Sequence, residues 1–422
     1  MNRLVASLLT FSVTSLLAGS AALAELKPSP NNGDITLPPG FHAVVVADGV
    51  DGVRGMAVAP NGDIYGRLRG GGIEALRDTD GDGVADMRER IDTGNGGSGI
   101  AVHGGYLYYS SNDAVYRMAR AEGELVPSGQ PELVVSGLPD KRQHAAKMFT
   151  FDEDGMLYVE VGSPSNALGD PDRARGARGL SEARVQAFLS EHGGIWKFDP
   201  SQAPQTQADG VHWSTGHRHV LSLVWHPVAD QLFMAQNGRD VLDVVRPDIF
   251  NAAYNAEHVA EEFHAVPQGA NFGWPYTYYS PIEHKRLMSP EYGGDGQKGP
   301  AAGTYPDPVI AFPAHWAPMQ MAYYGAEQFP AKYRGGIFLA FHGSWNRPVQ
   351  KGYNVCFIPF DDDGKPTGEW SIFADDFMGK DEIRSPRDAK YRPMGLAVGP
   401  DGSLYIGSDQ GDRVWRVFYT GE

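Results

Sequence analysis

A short sequence phrase recurs along this chain and constrains its fold more than any other feature. Each copy has a small apolar run, a turn built on Gly with Asn or Asp, and then an aromatic-rich run. The dipeptides Asn-Gly and Asp-Gly tolerate the positive φ that tight turns need, so each copy predicts two antiparallel strands joined by a turn. The six copies are residues 55–65, 99–108, 148–158, 223–233, 333–340 and 395–405.

Six copies predict an all-β protein, a six-bladed β-propeller with loops between blades that line an axial funnel. Radial repetition brings these loops together at one end of the molecule, although they are far apart in sequence. The copies extend from about residue 40 to the end of the chain and leave no room for a second globular unit. We therefore predict one propeller domain over residues 25–422, with its functional residues in the loops between copies.

The beginning of the chain has the pattern of an export signal. Arg3 precedes an apolar stretch over residues 4–17, and Ala22-Leu-Ala24 supplies the small residues that a signal peptidase recognises. Residues 1–24 are thus predicted to be cleaved. No later run of the sequence approaches the ~20 apolar residues of a membrane span. The sequence therefore predicts a periplasmic or secreted protein, and its single cysteine, Cys356, is interpreted as a buried structural thiol.

The net charge of the chain and the positions of its basic residues both limit the ligands it can bind. With 36 basic and 52 acidic residues the net charge is −16, which argues against nucleic acid or an anionic membrane as partner. Cationic residues nevertheless cluster beside the strand phrases, and converging arginines need a multiply anionic ligand, such as one with several carboxylates or phosphates. The clustered residues are Arg54, His144, Lys147, Arg218, His342, Arg347 and Arg392.

An acidic loop over residues 78–89 fits the twelve-position calcium pattern. Carboxylates stand at its first, third and fifth positions, Gly at its sixth and Glu at its twelfth, which suits a cation that binds six to eight oxygens. The predicted ligands are Asp78, Asp80, Asp82, the Val84 carbonyl, Asp86 and Glu89. Residues 72–77 have the pattern of a strand, so we expect a structural calcium on an interblade loop. An acidic surface turn without a metal is the alternative.

Several strings beside the cationic residues resemble a known family. They include Arg54-Gly-Met-Ala-Val, Gln143-His144-Ala-Ala-Lys147, Gly238-Arg239-Asp240, Phe341-His342-Gly-Ser344-Trp345-Asn346-Arg347 and Tyr391-Arg392-Pro-Met-Gly. At these residues the chain resembles the soluble pyrroloquinoline quinone (PQQ) sugar and aldehyde dehydrogenases. It is most similar to the L-sorbosone dehydrogenase-like branch and more distantly similar to soluble glucose dehydrogenase. The resemblance covers essentially the whole mature chain and implies PQQ and calcium as cofactors.

The resemblance also implies roles for individual residues. His144 would be the general base that takes the substrate's hydroxyl proton while a hydride passes to the quinone, and Arg218 would stabilise the growing oxyanion. An active-site calcium would act as a Lewis acid, held by the backbone carbonyls of Gly238 and Arg239. The implied cofactor-binding residues are Arg54, Lys147, Arg218, His342, Ser344, Trp345, Asn346, Arg347 and Arg392. One position departs from the family, which usually has Asn where this chain has His219.

The function implied is oxidation of a sugar, an aldose or a related aldehyde, with electrons leaving to a separate acceptor such as a cytochrome or a quinone. Two other readings stay open at this point. A calcium-dependent propeller hydrolase of the lactonase type would need several carboxylates and amides at the funnel, where the sequence places mainly Arg and His. A non-enzymatic binding propeller is the other, because a fold alone does not establish activity.

Overall fold

The computed structural model of the protein describes residues 26–94 and 96–421, so the predicted signal peptide at 1–24 lies outside the described residues. Its strands form six main antiparallel sheets, one per blade. The first strand of each blade contacts the first strands of both neighbouring blades, so these strands form a closed ring around an axis. The predicted six-bladed β-propeller is confirmed. No helix among the described residues has the length and apolar character to cross a membrane.

Four strands build each blade, and we number the blades in chain order by their first strand. Blade 1 comprises Val53–Val58, Ile64–Leu68, Ile73–Arg77 and Met87–Ile91. Blade 2 comprises Ile100–His103, Tyr106–Ser110, Val115–Ala119 and Glu132–Ser136. Blade 3 comprises Phe149–Phe151, Leu157–Val161, Gly194–Phe198 and Val211–Thr215. Blade 4 comprises Ser222–His226, Gln231–Gln236, Glu261–Ala265 and Ile310–Phe312. Blade 5 comprises Pro318–Tyr324, Gly336–His342, Tyr353–Ile358 and Ser371–Ala374. Blade 6 comprises Pro393–Val398, Leu404–Ser408, Arg413–Tyr419 and Phe41–Asp48.

Smaller elements decorate the blades. Short strands at Gln205–Thr206 and Ala270–Asn271 extend blades 2 and 3, and two hairpins pair Gly169–Asp170 with Arg178–Gly179 and Thr277–Ser280 with Lys285–Met288. The α-helical segments are Glu182–Leu189, Leu242–Val245 and Ala252–Glu257, whereas Asn31–Asp34 forms a left-handed turn with positive φ at all four residues. The 3₁₀ segments are Pro200–Gln202, Gln207–Asp209, Pro290–Tyr292, Ala331–Tyr333 and Pro386–Asp388.

Five of the six repeated phrases form the inner hairpins of their blades, as predicted, whereas the prediction of two strands is wrong for the copy at 333–340. In blade 1 the turn carries Gly62 at φ 91°, a conformation that glycine adopts without a steric cost. The second strands are buried along all or nearly all of their length instead of alternating, for example Leu157–Val161 in blade 3, because each blade packs against a neighbour on both faces. In blade 5 the phrase covers only a 3₁₀ turn and the second strand, since a longer loop follows Pro318–Tyr324.

Blade 6 joins both ends of the described chain. The strand Phe41–Asp48 pairs antiparallel with Arg413–Tyr419, so a segment from the beginning of the chain completes the blade made from its end. Cys356 lies fully buried in Tyr353–Ile358, in agreement with the prediction of a structural thiol. Burial raises the pKa of this thiol well above its usual value, which keeps it protonated and unreactive.

Candidate active site

One end of the propeller collects the residues that precede first strands and follow second strands, because the two strands of each inner hairpin run in opposite directions. A cavity of about 290 Å³ lies at this end, and we call this cavity the funnel. Its volume is near the lower limit of small-molecule sites, which span ~300–1,000 Å³. The cavity is lined by His144, Arg173, Arg218, His219, Asn237, Gly238, Asp240, Glu261, His315, Ala317, Met319, His342, Gly343, Trp345, Asn346 and Arg392.

The structure brings seven of the predicted site residues together at this cavity. They come from the loops of blades 3, 4, 5 and 6, as the propeller prediction requires, and they are His144, Arg218, Gly238, His342, Trp345, Asn346 and Arg392. Five others lie around the cavity without lining it, namely Arg54, Lys147, Arg239, Ser344 and Arg347. The roles assigned to all twelve stay predictions.

The residues that do not line the cavity are held by protein partners. Lys147 Nζ donates to the carbonyls of Pro139, at 3.0 Å, and Ala145. The Arg347 guanidinium donates to two backbone carbonyls and to Glu257. Arg239 forms a buried ion pair with Glu291, and the Ser344 hydroxyl donates to Gln350, at 3.2 Å. These contacts hold the loops in place.

His144 has the hydrogen-bond pattern of a neutral base. Its Nδ1 bonds the Ser163 carbonyl, which can only accept, so Nδ1 carries the proton and Nε2 keeps its lone pair. In the part of the chain that the structure describes, Nε2 has no hydrogen-bond partner. Burial, followed by the neighbouring His219 and Arg218, holds the pKa of His144 well below the usual value of 6.5. The imidazole is therefore neutral at pH 7.

Asp240 is the centre of the cavity's charge network, and sequence reasoning gave it no role. Its carboxylate pairs with Arg218 and, at 2.9 Å, with Arg173, and it accepts a hydrogen bond of 2.8 Å from Asn346. The Asp240 amide donates to the side-chain oxygen of Asn166, which also accepts from Arg218 at 3.2 Å. The sequence signal for Asp240 is the string Gly238-Arg239-Asp240, one of the strings that resemble the family.

Glu261 is a second carboxyl at the cavity that sequence reasoning left without a role. It accepts hydrogen bonds from the backbone amides of Gly238, at 2.7 Å, and Ala317, at 3.0 Å. Burial raises its pKa to about 7. An acidic pair at the start of a strand, Glu261-Glu262, was the signal in the sequence. Together with Asp240 and the amides of Asn237 and Asn346, Glu261 makes the funnel more acidic and amide-rich than the expected Arg and His cluster.

A second charge cluster lies beside the cavity around Asp409. His342 Nε2 is 2.8 Å and Arg54 is 3.3 Å from the Asp409 carboxylate, and Arg69 is 3.7 Å away. Burial raises the pKa of Asp409, but the close His342 imidazole and the arginine charges outweigh it and hold that pKa far below the usual range. The cluster therefore places a permanent carboxylate among cations.

Arg392 differs from the other cavity arginines in its partners. Its guanidinium donates to the backbone carbonyls of His342, at 2.9 Å, and Gly343, at 3.1 Å. Within residues 26–94 and 96–421 it forms no ion pair, whereas Arg218 and Arg173 share one carboxylate. The cavity thus carries excess positive charge that suits an anionic ligand. Trp345 stands at its mouth with 55% of its surface exposed.

The acidic loop joins the third and fourth strands of blade 1, at the end opposite the funnel, so the prediction that it lies on a loop between blades is wrong. As predicted, the segment before it is a strand, Ile73–Arg77. Ligand oxygens of Asp78, Asp80 and Asp86 lie within 4.8 Å of one another. The Asp82 carboxylate accepts from the Val84 amide at 2.8 Å, and Glu89 lies on the fourth strand opposite Ala75. The structure therefore gathers three of the six predicted ligands.

Comparison with known proteins places this architecture in a family. The model of the family described as TrAA12-like matches residues 35–420. A PQQ-dependent pyranose dehydrogenase of Coprinopsis cinerea is 24% identical over 424 residues, which cover 90% of this chain and 54% of that relative.

Two solved structures share the fold. The holo PQQ domain of pyranose dehydrogenase from Coprinopsis cinerea has a TM-score of 0.71 at 19% identity, covering 91% of this chain and 97% of that domain. The calcium structure of a Trichoderma reesei protein of carbohydrate-active enzyme family AA12 has a TM-score of 0.73 at 18% identity, covering 95% and 100%. Because the family model matches nearly the whole chain, the protein belongs to the TrAA12-like family, and the resemblance to PQQ sugar dehydrogenases is confirmed.

Proposed function

We propose that the protein is a quinoprotein dehydrogenase that oxidises a sugar, an aldose or a related aldehyde with PQQ and calcium. The observation that carries the proposal is one cavity in which a neutral imidazole with a free Nε2, on His144, lies among guanidinium groups with excess positive charge. A general base and an anion site are the two features that this chemistry needs from the protein. The names of the Coprinopsis relatives support the choice of cofactor.

The cavity fits a planar molecule with three carboxylates. Arg392 can bind a carboxylate with the part of its guanidinium that faces away from its two carbonyl partners. The Asn346 side-chain oxygen is buried and has no partner among the described residues, so this loop has unused hydrogen-bonding capacity. The exposed Trp345 indole offers an aromatic face at the cavity mouth. When bound here, PQQ supplies an acceptor for the two electrons and the hydrogen of a hydride.

The active-site calcium is proposed to bind the backbone carbonyls of Gly238 and Arg239. Gly238 lines the cavity, and its amide is fixed by Glu261 at 2.7 Å, which orients this stretch of backbone. Asp240 and Glu261 line the same cavity, and their carboxyl oxygens are ligands of the kind that calcium prefers. The calcium structure of the Trichoderma family member supports a metal in this family.

The chain's own residues then divide the work of the reaction. His144 receives the proton of the substrate hydroxyl on Nε2, because its Nδ1 proton is held by Ser163. Arg218 stays charged beside Asp240 and stabilises negative charge that develops in the cavity. Arg218 is buried and His144 is half-buried, which limits the access of water to both groups.

Reconstitution of the apo-protein tests the proposed function. Purified protein mixed with calcium and PQQ is expected to gain quinone absorbance and to reduce an artificial dye in the presence of aldoses. Protein given calcium alone is the control and should do neither. Absence of quinone binding at micromolar PQQ would contradict the proposal.

A calcium-dependent hydrolase of the lactonase type is a second candidate function. The specific observation in its favour is the group of carboxylates and amides at the cavity, Asn237, Asp240, Glu261 and Asn346. Such a site would use calcium to polarise a carbonyl or a water molecule. Hydrolysis of sugar lactones with calcium and without PQQ would favour this function over dehydrogenation.

Replacement of Arg392 by alanine tests the anion site. We expect PQQ to bind ~10–100-fold more weakly, because one hydrogen bond to a charged group contributes ~1.5–3 kcal/mol. Affinity is measured by titrating PQQ against tryptophan fluorescence. Arg384→Ala is the control, because that side chain is 70% exposed and pairs with Glu382. Equal affinity of the Arg392→Ala variant and the wild type would show that Arg392 does not bind the cofactor.

The acidic loop is proposed to bind a structural calcium through Asp78, Asp80 and Asp86. Calcium at 100-fold above its Kd is expected to stabilise the fold by ~2.7 kcal/mol, so the Tm should rise with calcium and fall with a chelator. Asp80→Asn should abolish most of this shift, and Asp362→Asn, on an exposed loop, should leave it unchanged. To separate the two proposed calcium sites, the shift is measured without PQQ.

Export and an external electron acceptor complete the proposal. Cleavage after Ala24 would place the protein in the periplasm or outside the cell, where a cytochrome or a quinone takes the electrons. Amino-terminal sequencing of the protein from its native host is expected to begin at residue 25. A start at Met1 would contradict export by a cleaved signal.

A further inference from the structure

His219 forms part of a second imidazole arrangement beside the proposed base. Its ring stacks on the ring of His144 with centroids 4.4 Å apart and an angle of 17° between planes. Its Nδ1 lies 3.2 Å from the Glu160 carboxylate. Both imidazoles therefore have Nδ1 held by a fixed oxygen, Ser163 in one case and Glu160 in the other.

Glu160 is an unusual residue at its position in the fold. It lies near the end of the buried strand Leu157–Val161, and its side chain is 1% exposed. One carboxylate oxygen accepts from Val220 at 3.0 Å and faces His219, while the other has no hydrogen-bond partner in the described chain. A buried carboxylate with an unpaired oxygen is costly, and it persists when a nearby charge requires it.

The backbone brings Glu160 close to His144 through a glycine. A Cβ at Gly162 would lie 2.9 Å from the Glu160 Oε1 atom and 2.9 Å from the Cβ of His144. Only a residue without a side chain leaves room for the Glu160 carboxylate beside the backbone of His144, whose carbonyl oxygen would lie 2.6 Å from that Cβ. The contact between strand and loop is therefore built into the backbone.

The other charges around His144 are mostly positive. Arg218 and Arg173 line the same cavity, and Lys147 lies buried on the loop that carries His144. Asp240 offsets the two arginines by direct ion pairs. Glu261, at the same cavity, is held by two backbone amides. Glu160 is thus the carboxylate that contacts the imidazole pair without an arginine partner among the described residues.

We propose that Glu160 and His219 are positioning residues that support His144 as the base. Glu160 fixes the ring of His219, and the ring of His219 holds that of His144 by stacking. The Glu160 carboxylate also stabilises the proton that His144 receives. In this step the proton leaves the substrate hydroxyl and binds Nε2 of His144, and the electron pair of the O–H bond stays on the oxygen. Among the neighbouring cations, a charged His144 without Glu160 would be strongly disfavoured. The effect on catalysis rests on the proposed function, but the contacts among Glu160, His219 and His144 do not.

The first experiment uses the apo-protein, so it does not depend on PQQ. Nitrogen-15 NMR of labelled histidines reports the tautomer and titration of each ring, and the signals of His144 and His219 are assigned by their absence in His144→Asn and His219→Phe. In the wild type both rings should carry the proton on Nδ1. Glu160→Gln keeps an oxygen acceptor and removes the charge, so His219 should keep its tautomer while His144 becomes ~10-fold or more harder to protonate.

The second experiment uses the reconstituted enzyme. Glu160→Gln should lower kcat and leave KM within about twofold, and the acid limb of its pH–rate profile should move to lower pH because the base has become weaker. His219→Phe keeps a stacking ring and loses the contact to Glu160, so it should keep more activity than His219→Ala. Glu153→Gln is the control, since it removes one charge from an exposed turn of the same blade at the far end of the propeller.

Two results would overturn the inference. Identical titration curves of His144 in the wild type and in Glu160→Gln would show that the carboxylate does not stabilise the imidazolium. Equal loss of activity in His219→Phe and His219→Ala would show that stacking does not hold the base. An inactive wild type with the expected NMR behaviour would contradict the proposed function and leave the arrangement of the three residues intact.

Discussion

Replacing His144 with asparagine is expected to reduce kcat for sugar oxidation by ~10²–10⁴-fold, the usual contribution of a positioned general base. Asparagine is the suitable replacement because the backbone of His144 has φ 52°, a left-handed conformation that asparagine tolerates better than alanine. PQQ affinity should stay within about threefold of the wild type, since the anion site lies on other residues. Stopped-flow reduction of bound PQQ by an aldose measures the chemical step directly.

A matched control exists in the same chain. His284 is exposed and has φ 50°, so His284→Asn makes the same chemical change in the same backbone conformation away from the funnel. This variant should retain full activity. If His144→Asn retains activity within a factor of ten of the wild type, His144 is not the base.

The pH dependence of the wild type follows from the environment of His144. Burial holds the pKa of this imidazole well below 6.5, so the neutral, proton-accepting form persists into acid solution. We expect the contribution of His144 to kcat/KM to be lost only as the pH falls through that lowered pKa. An acid limb near pH 6.5 that vanishes in His144→Asn would mean that the ring is more solvated than the structure shows.

Replacing Asp240 with asparagine is expected to cost ~3–5 kcal/mol of folding stability in the apo-protein. The change keeps the side chain's shape but removes the one carboxylate that pairs with both Arg218 and Arg173, leaving buried positive charge without compensation. Urea denaturation without cofactor measures the loss. Asp362→Asn, on an exposed loop, is the control and should change stability by less than about 0.5 kcal/mol.

The cofactor should partly repair this variant. PQQ carboxylates would supply the negative charge that Asp240 no longer provides, so saturating PQQ is expected to raise the Tm of Asp240→Asn more than that of the wild type. A loss of less than 1 kcal/mol in the apo-protein would show that the arginines are already well solvated. The anion site would then need another explanation.

The fold was predictable because repeated local sequence patterns specify it. Asn61-Gly62 and Asp401-Gly402 specify tight turns through φ alone, and the copies counted along the chain gave the number of blades. Strand direction also decides which residues lie at the funnel, because those before a first strand and after a second strand share one end of the blade. Cations beside the strand phrases, such as His144 and Arg392, could therefore be assigned to one cavity before any contact was known.

The partners of these cations could not be predicted. Asp240 pairs with Arg173, which is 67 residues away in sequence, and Glu160 meets His219 across 59 residues, so neither pair has a local pattern. Neighbours in one loop also point in different directions: Trp345 and Asn346 line the cavity, but Arg347 turns to backbone carbonyls. The sequence signal for the pair of Glu160 and His219 is an acidic residue inside an otherwise apolar strand.

Pairing of Phe41–Asp48 with Arg413–Tyr419 has a consequence for biosynthesis. The strand that is made early in translation has no partner until almost the entire polypeptide has been synthesised. During that interval it presents an open edge with apolar side chains, which invites aggregation. Ring closure across so many residues is also slow, because the loop entropy is lost before the final contacts form. The nascent chain should therefore depend on a holding chaperone, and truncation at either end should impair folding more than equal deletions in a surface loop.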